Sequence, residues 1–312
     1  MPKAVSLFSG CGGSDAGVIA AGFNVVMAND VLPYARDVYL ANHPETDYRV
    51  GNVNRIETFP DAELLVGCYP CQGFSQGGAR DPGRKINTLY LEFARALHAI
   101  RPKAFIIENV SGMVRKNFQH LLQDQIKVFT EIGYRVKVKV LNAADYGVAQ
   151  ERKRIFIVGL RSDMGLDYEF PMPTHGVGMP RVTIADALEG MPEWPEGEFY
   201  AREFHRYYLS RDRRRGWNEV SKTIVANPRH MPLHPISPSM VRLEPDKWAF
   251  SHEGRARRFS YREAARLQGF ARDFVFPDTI SGNLNMRYTV AGNAVPPPLF
   301  EAVARVLPDI WD

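Results

Sequence analysis

The stretch GCYPCQGFS, residues 67–75, holds two of the chain's three cysteines, Cys68 and Cys71, at C-x-x-C spacing. That spacing serves three chemistries: a redox dithiol, half of a metal site, or one nucleophile beside an idle neighbour. A thioredoxin-like dithiol attacks from its first cysteine and opens a helix at once. Here Gln72 and Gly73 run instead into SQGGARDPGRK, a long glycine-rich basic loop. Zinc would need a second cysteine pair or a histidine pair at ligand spacing, and neither is present, so no metal is expected. The reading that survives is a single nucleophile, Cys71, at the tip of a strand and covered by that loop.

Three further constellations could work beside it. LFSGCGGSDAG places glycines between a strand and a helix, where the backbone can approach a nucleotide-like ligand. After Gly10 and Gly12 the third position of a dinucleotide fingerprint is Asp15, which argues against a pyrophosphate. Asp30 ends the next strand, where an acid can accept hydrogen bonds from ribose hydroxyls. A tight structural turn accounts for the glycines alone equally well. ENV puts Glu108 at another strand end; after four apolar residues its carboxyl could have a raised pKa and act as an acid, although an exposed acid at a loop start explains it alone. In QERKRIFIVG, Arg152 and Arg154 alternate, so extended backbone points both to one side, suited to a polar base edge or a phosphate.

The elements that must position these groups follow from period and punctuation. KAVSLFSG reads as a strand, SDAGVIAAGF as a helix capped by Ser14, NVVMAND as a strand, and PYARDVYLANH as a helix with Pro33 in its first turn. AELLVG is the strand before Cys71. LYLEFARALHAI aligns Leu89, Phe93, Leu97 and Ile100 on one helical face, AFIIENV is a strand, FQHLLQDQIKVFTEIG a helix closed by Gly133, and YRVKVKVL and RIFIVGL are strands. Such alternation predicts an α/β fold with a doubly wound, mostly parallel sheet. From about residue 165 prolines and glycines break all periodicity until SYREAARLQGF and PPPLFEAVARVL, which suggests a smaller irregular domain.

Composition is ordinary for a soluble chain: 312 residues, 45% hydrophobic and 24% charged, net charge +4. No apolar run approaches the roughly 20 residues of a membrane helix, and three cysteines make no disulfide framework, so a cytoplasmic location is expected. Two arginine clusters stand out. Between Arg202 and Arg215 six arginines face two acids, and Arg255, Arg257, Arg258, Arg262, Arg266 and Arg272 surround Glu263. Interleaved with aromatics, they fit a surface that tracks phosphates, while a solvated face is the commoner explanation of a charge run.

Taken in order, FSGCGG, PCQGFS, ENV, QERKR, REAARLQGF and GNAVP resemble the ordered motifs of the C5-cytosine DNA methyltransferase family over nearly the whole chain. Residues 165–250 match no motif, where the family keeps its variable target-recognition region. The resemblance implies a Rossmann-like class I methyltransferase fold, with residues 1–164 as catalytic domain, 165–277 as target-recognition domain and 278–312 returning to the first. It also implies S-adenosylmethionine as methyl donor, double-stranded DNA as substrate, a cognate restriction endonuclease carried on another chain, and a monomer.

In that family's chemistry a thiolate adds to carbon 6 of a flipped-out cytosine, which makes carbon 5 nucleophilic. Cys71 takes the thiolate role, Glu108 protonates N3 and reads the exocyclic amine, and Arg154 with Arg152 holds O2. Phe8, Gly10, Gly12 and Gly13 lie along the donor, Asp30 on its ribose and Asn52 near its adenine, with Pro70, Leu89 and Asn293 completing the pocket. The resemblance further implies that Ser75, Arg80, Arg84 and Lys85 would belong to a loop closing on DNA, and that Arg211, Arg213, Arg214 and Arg215 would contact backbone or guanine, mostly phosphate. The chain departs from the family at Tyr69, where proline is usual and where the ring adds bulk beside the nucleophile, at Asn52 for aspartate, and at Val290 for glutamine. A tRNA cytosine-C5 methyltransferase, a thiol oxidoreductase using Cys68 and Cys71, and a DNA-binding module without activity are the alternatives.

Overall fold

The computed structural model describes residues 1–70, 88–176, 178–278 and 283–311. They form two compact units, one of Met1–Asn142, Lys153–Met172 and Pro297–Asp312, the other of Ala143–Arg152 and Pro173–Pro296. The chain therefore passes between units at 142/143, 152/153, 172/173 and 296/297, rather than at 164/165 and 277/278. The helix Leu284–Asn293 packs on Tyr261–Leu267 within the second unit, and only the stretch from Pro297 belongs to the first.

The first unit is built on strands β1 (Lys3–Leu7), β2 (Asn24–Asp30), β3 (Asp47–Val50), β4 (Leu64–Gly67), β5 (Ala104–Val110), β6 (Tyr134–Asn142) and β7 (Lys153–Arg161). Among the described residues they make one sheet, in the order β3-β2-β1-β4-β5-β7-β6. Pairing is parallel from β3 through β5, and β7 lies antiparallel between β5 and β6. The central strands LLVG and AFII are buried at every residue, as a sheet covered on both faces requires. β6 is an edge, and its Lys137 and Lys139 place charge where another strand could otherwise pair. The short β3, not anticipated from the sequence, has only four residues, DYRV, too brief an alternation to announce a strand.

Helices α1 (Gly13–Ala20), α2 (Pro33–Asn42), α3 (Leu89–Ile100) and α4 (Gln119–Glu131) join these strands, and α8 (Pro297–Arg305) packs on α1. On α3 the expected stripe holds: Phe93 and Leu97 are fully buried and Leu89 and Ile100 pack partly against the same core. Each full burial of such a side chain is worth about 1.5–3 kcal/mol. α4 stops before Gly133, which adopts φ 109°. Ser14 is not the cap of α1. The N-cap is Gly12 at φ 89°, and the Ser14 hydroxyl donates to Asp15 instead.

The second unit carries α5 (Ile184–Leu188), a hairpin of β8 (Met240–Glu244) and β9 (Lys247–Phe250), α6 (Tyr261–Leu267) and α7 (Leu284–Asn293). Its interior corrects the picture of a second basic surface cluster. Arg257 and Arg258 are only 1% exposed. Arg257 makes two 2.7 Å bonds to the Glu263 carboxylate, while Arg258 stacks over Phe204 and Tyr208, centroids 4.3 and 4.6 Å away, and donates to the Arg202 carbonyl. Burial of a guanidinium demands such partners, so the interleaved aromatics serve cation–π packing inside the unit.

Candidate active site

Strand register builds a common edge. Leu7 pairs with Asn29 of β2 and Gly67 of β4, and Gly67 pairs with Ile107 of β5. One residue further along each strand stand Phe8, Asp30, Cys68 and Glu108. Parallel strands end together at their carboxyl side, which is where ligands bind in sheets of this kind.

At β1 the chain turns sharply into α1. Phe8 (φ 60°), Gly10 (φ 54°) and Gly12 (φ 89°) are left-handed, and a Cβ on Gly12 would come within 3.0 Å of the Tyr39 ring. Among the described residues, a Cβ on Gly10 would meet nothing within 4 Å, so they leave open space over that backbone. Asp30 ties the turn down: Oδ2 accepts from Gly10 N (2.9 Å) and Oδ1 from Leu32 N (3.0 Å), while the Tyr48 hydroxyl of β3 donates to Gly10 O (2.9 Å). Burial raises the Asp30 carboxyl above the usual carboxylate range, opposed by the backbone N–H groups of Leu32, Gly10 and Val31. Beneath the turn, fully buried Asp15 accepts from Ser6 (2.6 Å), Ser14 (2.9 Å) and Tyr39 (2.7 Å). This explains an acid where the dinucleotide fingerprint has glycine: its side chain braces the turn from within.

The edge acid is paired. Glu108, 7% exposed, forms an ion pair with Arg154 of β7, its Oε1 lying 2.8 Å from Arg154 Nε. Burial lowers the Arg154 pKa, and the Glu108 charge acts in the opposite direction. Arg154 Nη1 donates to the Lys153 carbonyl (2.8 Å). Burial, then the nearby Glu108 charge, push the Cys68 thiol well above its ordinary pKa, so it stays a thiol.

Tyr69 corrects an expectation. Its ring is 3% exposed within the core, edge-on to Phe8 at 5.9 Å, so the bulk expected beside the nucleophile is taken up by the interior. The hydroxyl donates to buried Gln125 of α4 (2.6 Å), and Asn109 Nδ2 donates to the Tyr69 carbonyl (3.0 Å). A polar tip needs a buried acceptor at this depth, and Gln125 supplies it.

Arg152 and Arg154 have separate partners. Arg152, 3% exposed in the second unit, donates to the carbonyls of Ile224 (3.0 Å), Gly292 (3.3 Å) and Ala294 (3.0 Å). Gln150 Nε2 donates to Gln268 Oε1 (2.6 Å), and Gln268 Nε2 to Ala291 O (2.9 Å) and Ala294 O (3.2 Å). Three of the six motifs are thus tied together by Gln150, Arg152 and Gln268. The two glutamines were not singled out from sequence, where nothing but membership of a motif marks them.

Of the other expected donor residues, Asn52 is exposed, its Oδ1 accepting from Asn54 N (3.2 Å). Pro70 and Asn293 are exposed and Leu89 is half-buried at the start of α3, while Val290 is buried on α7. Cys71, Ser75, Arg80, Arg84 and Lys85 lie outside the described residues. Arg213 donates to Tyr208 O (2.8 Å) and His230 O (3.2 Å), and Arg214 to Ser237 O (2.9 Å) and Pro235 O (2.7 Å). Arg211 is exposed over Tyr207, and Arg215 faces Glu219 at 3.8 Å.

A seven-stranded, mostly parallel sheet with one antiparallel strand beside its edge, and a glycine turn and acids on its carboxyl side, is the Rossmann-like fold of class I methyltransferases. The S. pombe Dnmt2 methyltransferase shares it, with a TM-score of 0.72 over 97% of each chain at 18% identity. The C-5 cytosine-specific DNA methylase family matches residues 2–309, and the chain belongs to it. Relatives include the Type II methyltransferase M.MthTI of Methanothermobacter thermautotrophicus, 38% identical over 96% of this chain and 95% of that one. Another is M.BsuRI of Bacillus subtilis, 36% identical over 96% and 78%.

Proposed function

We propose that this DNA methylase transfers the methyl group of S-adenosylmethionine to carbon 5 of a cytosine flipped out of double-stranded DNA, through a transient bond from Cys71 to carbon 6. We assign it the modifying role in a Type II restriction-modification pair, as a cytoplasmic monomer whose nuclease is a separate chain. The relatives' names support that role. The observation that carries the chemistry is the buried 2.8 Å ion pair of Glu108 and Arg154 on the carboxyl edge.

S-adenosylmethionine, when bound, supplies an electrophilic methyl group on a sulfonium. The turn suits such a ligand, because the space over Gly10 is open and Asp30 retains acceptor capacity beyond the two N–H groups it receives. Phe8, Gly10, Gly12, Gly13 and Asp30 would hold it, with Asn52, Pro70 and Leu89 closing the pocket. Cys71 adds to carbon 6; Glu108 meets N3 and the exocyclic amine as charge develops; Arg154 meets O2 while its Nε keeps Glu108 in place. Arg152 acts at one remove, fixing the 292–294 turn through its three carbonyl contacts. That Cys68 is held as a thiol supports a single nucleophile over a dithiol.

The test is to treat random-sequence DNA with protein and S-adenosylmethionine and map modified cytosines by bisulfite sequencing. The expected result is 5-methylcytosine in one sequence context; unmodified DNA alongside a modified tRNA would overturn the substrate assignment.

A further inference from the structure

Many arginines of the second unit's clusters are already engaged by partners within the unit, and two of them are buried. Arg213 and Arg214 bond to carbonyls, Arg257 and Arg258 are buried, Arg262 faces Glu198, and Arg272 faces Glu189. Two arginines outside those pairings, Arg202 and Arg229, are exposed and line a groove of about 490 Å³ together with Tyr200, Asn227, Asn285 and Thr289. A second hollow of about 480 Å³ continues it, sharing Tyr200, Arg202 and Asn285. No carboxylate lines either one among the described residues. The walls are fixed by close backbone packing: a Cβ on Gly292 of α7 would fall 2.3 Å from the Val225 carbonyl carbon, so α7 sits directly on the segment leading to Asn227.

The two guanidinium groups differ in how they are held. Arg229 Nε donates to the Tyr200 hydroxyl at 3.2 Å, a bond that restrains the guanidinium plane through Nε and does not use the two Nη groups. Asn227 stands beside it, its Oδ1 capping Arg229 N (3.0 Å) and its amide group exposed. Arg202 makes no side-chain hydrogen bond or ion pair among the described residues, which suits a mobile charge.

We propose that this groove reads the target DNA, with Arg229 making a bidentate contact to a guanine edge and Arg202 contacting a phosphate. The proposal rests on the DNA-methylating reading above and names its specificity residues. A pre-oriented fork matches the paired acceptors of guanine O6 and N7, and a free cation needs only a neighbouring phosphate.

The experiment selects duplexes by binding, from a random-sequence pool, with wild type, Arg229→Lys and Arg202→Ala, and measures affinity for the selected duplex and a shuffled one across salt. Both positions are exposed, and circular dichroism confirms folding. Arg229→Lys keeps charge and should keep shuffled-duplex affinity while preference for guanine at one position falls about tenfold. Arg202→Ala should weaken both duplexes alike and lower the slope of log affinity against log salt by about 0.9. Unaltered guanine preference in Arg229→Lys, an unaltered slope in Arg202→Ala, or a wild type that selects no sequence overturns the proposal. A wild type that selects a sequence but transfers no methyl group to it leaves the groove standing and brings down the methylating reading instead.

Discussion

Severing the Glu108–Arg154 pair gives a sharp energetic test. The carboxylate is 7% exposed and the guanidinium sits 2.8 Å from it, so Glu108→Leu leaves a buried cation without its partner and Arg154→Met a buried anion. Breaking a buried pair from one side costs about 3–5 kcal/mol, whereas replacing both members with apolar groups is close to neutral. Each single variant should therefore lose about 3 kcal/mol, and the double variant should lose at least about 2 kcal/mol less than the sum of the two. Urea unfolding followed by tryptophan fluorescence measures all four proteins, with a constant slope showing that the same transition is compared. In parallel, single-turnover methyl transfer by Glu108→Gln, which keeps the side chain's shape, should fall about 10²–10⁴-fold. Additivity of the two single variants within about 0.5 kcal/mol, or a Glu108→Gln rate within a few-fold of wild type, would refute the pairing argument.

Other outcomes follow from particular contacts. Gly10→Ala should cost only about 1–2 kcal/mol for its left-handed backbone, since its Cβ meets nothing, yet weaken S-adenosylmethionine binding at least about tenfold by calorimetry; unchanged affinity would remove the donor from that turn. Tyr69→Phe strands the buried Gln125 acceptor and should lower the unfolding free energy by about 1–3 kcal/mol; an effect below about 0.5 kcal/mol would mean the hydroxyl is not needed. His234, buried near Arg257 and Arg214, has its pKa lowered to about 3. Because the unfolded chain binds that proton near pH 6.5 and the folded one does not, stability should fall as pH drops from 6.5 toward 3, by up to about 1.4 kcal/mol per unit from this group. His234→Asn, whose oxygen can replace Nδ1 in accepting from Ile236 N, should flatten thermal stability across that range; an unchanged profile would exclude the histidine as the source.

Much of the first unit was legible because its strands and helices keep their periods. The α3 stripe of Phe93 and Leu97 and the strands that carry Asp30 and Glu108 depend on local pattern, and pattern survives in one dimension. What escaped depends on partners distant in sequence. Tyr69 could be seen as a departure, but not that Gln125, 56 residues later, would take its hydroxyl into the core. The arginines at 257 and 258 looked like surface charge because a sequence records charge and not burial; Glu263 and the rings of Phe204 and Tyr208 decide the matter. Arg152 and Arg154 alternate as expected, yet the chain passes between units just after the first, and their partners differ accordingly.

The central claim is a covalent bond from Cys71 to a cytosine ring, and trapping measures it directly. Wild-type protein incubated with S-adenosylmethionine and a duplex containing 5-fluorocytosine in its methylated context should yield a denaturation-resistant adduct, mapped by peptide mass spectrometry to Cys71 and absent from Cys71→Ser. No adduct with wild type, or an adduct mapped to Cys68, would contradict the account.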